Sequence, residues 1–127
     1  MTVKVTFRPN RAGQAAFGRS NGVYRELERR ADRVIALAQA TAPEKTGTYK
    51  ASFRKERTRV RGRAAVTVSN VSDHAVIVEF GSRPHIIEPK NKQALAWPGG
   101  RHPVKKVHHP GTPAFHVLRN ALRAAGR

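Results

Sequence analysis

Residues 20–41 read SNGVYRELERRADRVIALAQAT, and this stretch decides the fold. Val23, Leu27, Ala31, Val34 and Ala38 recur at spacings of three and four, joined by Ile35 and Leu37. One apolar stripe at that period predicts a long amphipathic helix. Arg25, Glu26, Arg29, Arg30 and Arg33 fall largely elsewhere on the wheel. Glu26 precedes Arg30 by one helical turn, which adds a favourable pair. Ser20 or Asn21 can cap the start. Pro43 stops the helix, because the residue before a proline avoids the α region. Such a stripe must be covered by a sheet or by another helix, so the flanking segments have to supply the cover.

On the N-terminal side, Val3, Val5 and Phe7 alternate with Lys4, Thr6 and Arg8. Period two predicts a short half-buried strand, ended by Pro9 and Asn10. Residues 11–21 read as an irregular or weakly helical connection. On the C-terminal side, Thr46 and Gly47 form a turn. Tyr49, Ala51 and Phe53 then alternate with polar residues, which predicts a strand from Tyr49 to about Val60. The apolar phase changes between Phe53 and Val60, so a bulge or a strongly twisted end is expected. Arg61 and Gly62 suggest a hairpin turn, with Ala64, Val66 and Val68 on the returning strand.

Residues 73–81 read as a short helix, with Asp73 as N-cap and Gly81 just past its end; a strand is the alternative there. Residues 83–90 are extended between prolines, and residues 94–97 continue the sheet. The Gly/Pro-rich stretch 97–113 is the longest loop region, with an edge strand inside it over 104–108. A closing helix over 113–125 is expected, with Thr112 as N-cap and Pro113 in its first position. Phe115, Leu118, Ala121 and Leu122 line one of its faces. The sum is a small single α+β domain over residues 1–127. An antiparallel sheet packs against one long helix and a C-terminal helix, with extended loops or arms.

Composition narrows the function. Lys plus Arg number 25 against 8 Asp plus Glu, a formal net charge of +17, and Cys is absent. A disulfide scaffold, a thiolate nucleophile and a Cys-ligated metal site are excluded. No apolar run approaches the roughly 18 residues of a membrane span, and the first ten residues lack the apolar centre of a signal peptide. The charge points to polyanions or acidic protein surfaces. No zinc-finger spacing, RNA-stacking signature or basic-helix motif accompanies it, and aromatics are only 6%, too few for a base-stacking platform.

The residues that could carry chemistry are few. The chain has 6 His, and His74, His85, His102, His108, His109 and His116 share no ligand spacing, so no metal is expected. Gly99-Gly100 precedes Arg101 and a histidine rather than the Lys-Ser/Thr of a phosphate loop. Glu79 sits in the apolar run HAVIVEFG, residues 74–81. A carboxylate there is either buried against an arginine or exposed at an interface. No partner for a catalytic role is visible, and no cofactor is expected. Arg57, Arg59, Arg61 and Arg63 alternate, which reads either as a basic arm for a polyanion or acidic neighbour, or as a solvated hairpin tip.

Three local patterns then line up in order. Ala42-Pro43, Thr46-Gly47, Tyr49-Lys50 and Ser52-Phe53 resemble an Ala-Pro…Thr-Gly-x-Leu-Arg-x-Ser-Ile pattern. His74-Ala75 and Val78-Glu79-Phe80-Gly81-Ser82 resemble Tyr-Ala-x-x-Val-Glu-Phe-Gly-Thr. His109-Pro110-Gly111-Thr112 with Pro113-Ala114-Phe115 resembles His-Pro-Gly-Thr…Pro-Phe before a closing helix. Together they resemble the neck and tail-completion proteins of long-tailed bacteriophages, the lambdoid tail-component family, over roughly residues 20–125. Tyr49 stands in a usual Leu position and His74 in a usual Tyr position. The high basicity is not a family requirement.

The resemblance implies a structural virion protein of the neck, with no catalytic residues, whose copies form a ring, a hexamer, between the head-side connector and the tail tube. Pro43, Gly47, Ser52, Phe53, Ala75, Glu79, Phe80, Gly81, Pro110, Gly111 and Phe115 would be its structural motif residues. The expected partners are further copies of the chain, a connector or stopper protein, a tail tube or tail terminator protein, and non-specifically the DNA in the lumen; no membrane is expected. The basic hairpin over 54–63 and the loop over 97–113 are the expected contact regions, with Arg54, Lys55, Arg57, Arg59, Arg61, Arg63, Glu79, Arg101, Lys105 and Lys106 as candidate interface residues. A free-standing non-specific nucleic-acid-binding module is the alternative. A small nuclease ranks last, because no acidic cluster could hold its metal.

Overall fold

The computed structural model describes residues 1–43, 47–90, 93–100 and 102–126. Thr46 and Arg101, both singled out above, lie outside them. The elements in order are α1 (Arg11–Phe17), α2 (Asn21–Thr41), α3 (Thr48–Ala51), β1 (Phe53–Val60), β2 (Arg63–Asn70), α4 (Ala75–Phe80), β3 (His85–Ile87), β4 (Val107–His109) and α5 (Val117–Ala125).

Helix α2 follows its sequence. Ser20 is extended, and its hydroxyl accepts from the Val23 N–H at 3.4 Å. Ala42 leaves the helix with ψ 137°, ahead of Pro43. The buried face is Ala31, Val34 and Ala38. These residues are small, so α5 and the hairpin β1–β2 can approach its backbone closely. The core joins Val34, Ala38 and Ala42 to Tyr49, Phe53, Val117 and Ala121.

β1 and β2 pair antiparallel in unbroken register from Phe53↔Asn70 to Val60↔Arg63. The expected bulge is absent. In a regular strand Phe53 and Val60 lie on opposite faces; Phe53 is buried and Val60 is 59% exposed. The apolar phase changes because the helix-facing positions after Phe53 hold long cations. Arg61 and Gly62 both have positive φ, 51° and 76°, and close the type I′ turn.

Other expectations are corrected. Residues 1–10 form no strand: Val3, Val5 and Phe7 are 75%, 87% and 82% exposed. The period is there, but a strand needs a partner for its backbone. Residues 11–17, read as irregular or weakly helical, form about two turns of regular helix. The Asn10 side chain accepts from the Gly13 N–H at 2.9 Å, although α1 buries nothing.

Residues 48–51 are helical rather than extended. Gly47, at φ 72°, admits the reversal into α3. Tyr49 and Phe53 are then one turn apart on one face, and their rings meet edge-on at 5.3 Å and 78°. The alternation of residues 49, 51 and 53 was a spacing of four read as a spacing of two.

The closing helix starts at Val117 and not at Pro113. Thr112 does not cap it but bridges to Ser82, with N–H···O distances of 2.9 and 3.1 Å in the two directions. Phe115 N–H donates to the Val78 carbonyl at 2.9 Å, and His116 enters the helix left-handed at φ 50°. Residues 113–116 are thereby tied to α4. Asp73 does not cap α4 either: His74 holds that position, with no side-chain cap bond.

Strand β3 is shorter than the expected 83–90. It pairs with β4 through His85↔His109, Ile86↔His108 and Ile87↔Val107, so the edge strand sits slightly later than 104–108. Residues 94–97 contribute only the bridge Leu95↔Val104.

Candidate assembly surface

The basic hairpin divides into a docked base and a free tip. On α2, Glu28 and Asp32 are one turn apart, about 6 Å along the axis. On β1, Lys55 and Arg57 are two residues apart, about 6.6 Å. The two spacings match. Arg57 forks onto Glu28 at 2.8 and 3.0 Å, reaches the Asn21 side-chain oxygen at 2.9 Å, and lies 5.0 Å over the Tyr24 ring. Lys55 reaches Asp32 at 2.6 Å. The Tyr24 hydroxyl donates to the Thr58 carbonyl at 2.9 Å. Hydrogen bonding to Arg57 holds the Glu28 carboxyl below the usual range, and the same bond raises Arg57. Arg54 folds back on the carbonyls of Ala51 and Phe53 at 3.0 and 2.8 Å.

Lys55, Arg57 and Arg54 therefore hold the hairpin on its own chain. Arg59, Arg61 and Arg63 are exposed, and their side chains make no hydrogen bond or ion pair among the described residues. They form a compact cationic tip around the turn. Lys105 and Lys106 are exposed just before β4. Sequence reasoning missed Glu28, Asp32 and Tyr24. Their signal was available: acids at i and i+4 on the helix match cations at i and i+2 on a strand.

Glu79 neither pairs with an arginine in a core nor faces outward for a partner. Its two carboxylate oxygens accept from the backbone N–H groups of Leu118 and Arg119, at 3.0 and 3.1 Å. Helix α5 has no side-chain cap of its own, since His116 supplies none. Glu79 thus caps α5 from α4, satisfying donors that a helix start leaves open and meeting the positive end of its dipole. Burial, and then the Glu79 charge, push the Tyr49 phenol up. Gly81 and Gly111 stand beside this junction at φ 75° and 89°. A Cβ on Gly81 would lie 2.5 Å from the Thr112 carbonyl oxygen, and one on Gly111 would strike that of Ser82. The motif glycines therefore lock the 81–84 and 111–114 segments together.

Large apolar residues remain uncovered around this frame. Phe80 and Phe17 are each 71% exposed, Val76 68% and Leu122 65%. A groove of about 380 Å³ runs between α2, β2 and α5, lined by Leu27, Ala31, Val34, Val66, Val68 and Leu122 among others. The His85 and His109 rings stack at 4.9 Å across β3–β4. Among the described residues no group of three or more potential ligands could hold a metal, and no helix is long and apolar enough to cross a membrane.

No curated protein and no solved structure matches the chain. Residues 22–81 match the model of the HK97-gp10-like family, described as "Bacteriophage HK97-gp10, putative tail-component". From the start of α2 to the glycine that ends α4, the chain is thus similar to a family of bacteriophage tail components, and a structural role in a phage tail is what this match supports.

Proposed function

We infer that the whole chain is one head–tail joining domain. Its copies assemble into a ring, a hexamer, at the neck of a long-tailed phage. The ring joins the head-side connector or stopper to the tail tube or tail terminator. The work is assembly rather than catalysis, and the protein is made in the host cytoplasm and ends in the virion. One observation carries the reading beyond the family match: a single copy leaves its apolar surface open. The core is built largely of alanine and valine, whereas Phe7, Phe17, Val76, Phe80 and Leu122 are at least 65% exposed. A freely monomeric protein seldom presents that much large apolar surface. Identical copies closing by rotation would cover it. Gly81, Gly111 and Glu79 act as structural motif residues, because they fix the α4–α5 junction.

Mass photometry and negative-stain microscopy of the purified protein test this, alone and mixed with tails or DNA-filled heads. Rings, or added density at the neck, are expected. A protein that stays monomeric at high concentration and attaches to neither particle overturns the reading.

One observation favours contact with DNA as a second activity. Among the described residues, Arg59, Arg61 and Arg63 have no acid paired with them. Three unpaired guanidinium groups on a turn suit phosphate, with no base reading. Lys105 and Lys106 are exposed cations elsewhere on the surface. Retention of duplex DNA that falls steeply with salt is expected. Absence of retention at low salt removes this activity.

A further inference from the structure

The N-terminal residues 2–8 carry a strand pattern without a strand partner. Val3, Val5 and Phe7 share one side at period two, and Lys4, Thr6 and Arg8 share the other. All three apolar side chains are at least 75% exposed. The hairpin carries the complementary defect. In a ladder closed by a two-residue turn at Arg61-Gly62, the Val60–Arg63 and Thr58–Ala65 pairs exchange hydrogen bonds. The N–H and C=O groups of Ala64, Val66 and Val68 then point away from β1. Ala64 shows this directly: its N–H donates outward to the Gly18 carbonyl at 2.8 Å. Among the described residues, Val66 and Val68 have no such outward backbone partner. Their side chains line the apolar groove shared with Leu27, Val34, Leu118 and Leu122.

We propose that the arm over residues 2–8 of one copy adds as a third strand to the outer edge of β2 in a second copy, setting Val3, Val5 and Phe7 into the α2–β2–α5 groove. Seven extended residues span about 23 Å, enough to cover β2 from Val66 to Asn70, the part of the edge beyond the Ala64 position that Gly18 holds. The pairing supplies both the missing ladder and the missing apolar cover, as in other strand additions. Charge selects the edge. β1 carries four cations against Glu56, with Arg59 unpaired among the described residues, and disfavours a basic arm, whereas β2 is neutral from Ala64 to Asn70. β2 also lacks the lysine or proline that usually blunts an open edge. The occupant is a second copy because the arm's apolar residues are exposed in their own chain and none of them lines this groove. The proposal deepens the self-assembly reading and rests on it.

The chain has no native Cys, so single cysteines report proximity cleanly. Two differently tagged full-length variants are mixed and oxidised, one with Val5→Cys and the other with Val66→Cys or Val68→Cys. A between-chain disulfide at least tenfold above a Val5→Cys plus Thr67→Cys control is expected, because Thr67 faces away from the groove. No excess over the control overturns the proposal. So does a Val5→Cys/Val66→Cys double variant that cross-links only within its own chain. A second variant separates this proposal from the assembly reading. V3S/V5S/F7S touches no buried residue and is expected to keep the parent's melting temperature and lose its oligomeric mass. If it assembles like the parent, the arm is excluded while self-assembly stands. If the parent is monomeric and no cross-link forms, both fall.

Discussion

Glu79 holds the start of a helix to which it does not belong. The backbone at Leu118 and Arg119 has no local cap, so the carboxylate stands in for one. Removing it leaves two donors without their acceptor. Glu79→Ala should cost about 1 kcal/mol, the usual value of a lost cap. Glu79→Gln keeps an acceptor oxygen and should cost less; urea unfolding of both variants measures the difference. The glycines allow a sharper comparison. Gly47 and Gly81 have almost the same φ, 72° and 75°. A Cβ on Gly47 meets nothing within 4 Å, whereas one on Gly81 meets backbone at 2.5 and 2.9 Å. Gly47→Ala should therefore cost only the left-handed strain, about 1 kcal/mol. Gly81→Ala and Gly111→Ala add a clash with backbone that cannot rotate aside, and should lose several times as much. Equal losses at positions 47 and 81 would show that the 81–84 and 111–114 segments are not packed as described.

At the level of elements, α2 and the hairpin turn were legible because each is specified locally, by a single apolar stripe and by Arg61-Gly62. Several misreadings share a cause: the deciding partner is distant in sequence. Residues 113–116 carry good helix-start chemistry, yet Thr112 is held by Ser82 and Phe115 by Val78. Tyr49 and Phe53 fit both periods until α3 brings their rings together. The arm has the period of a strand but, among the described residues, no partner to pair with. The candidate contact surface was half legible, since alternating arginines were visible but not which of them α2 would claim. The pairing between α2 and β1 has a pH signature. Glu28 is held below its ordinary 4.5, so its contribution to stability is complete above that value. It is lost as pH falls through the lower folded value. The urea midpoint should accordingly drop below about pH 4.5, and Glu28→Gln should flatten that drop while lowering the midpoint at pH 7. Because the pair is exposed, 0.5 M salt should shrink the difference at pH 7.

For the whole molecule, the net charge of +17 sets a constraint on any ring of identical copies: like charges must be kept apart or neutralised by something the ring meets. The fold handles part of this internally, through Glu28, Asp32 and Glu26 on α2. The tip arginines have no such relief, and a basic lumen around DNA would provide it. R59E/R61E/R63E tests this without disturbing the core, because these side chains are exposed and bond to nothing else among the described residues; the melting temperature should stay near the parent's. If the three contact phosphate, the slope of log binding constant against log salt should fall in magnitude by about 3. Neck attachment should survive in the same variant, since the arm, the groove and the α4–α5 junction are untouched. The opposite pattern, with DNA retention unchanged and neck attachment lost, would assign the tip to an acidic surface on a neighbouring protein ring. The two outcomes are separable because counterion release scales with phosphates neutralised, whereas a protein–protein contact between exposed charges is screened far less steeply.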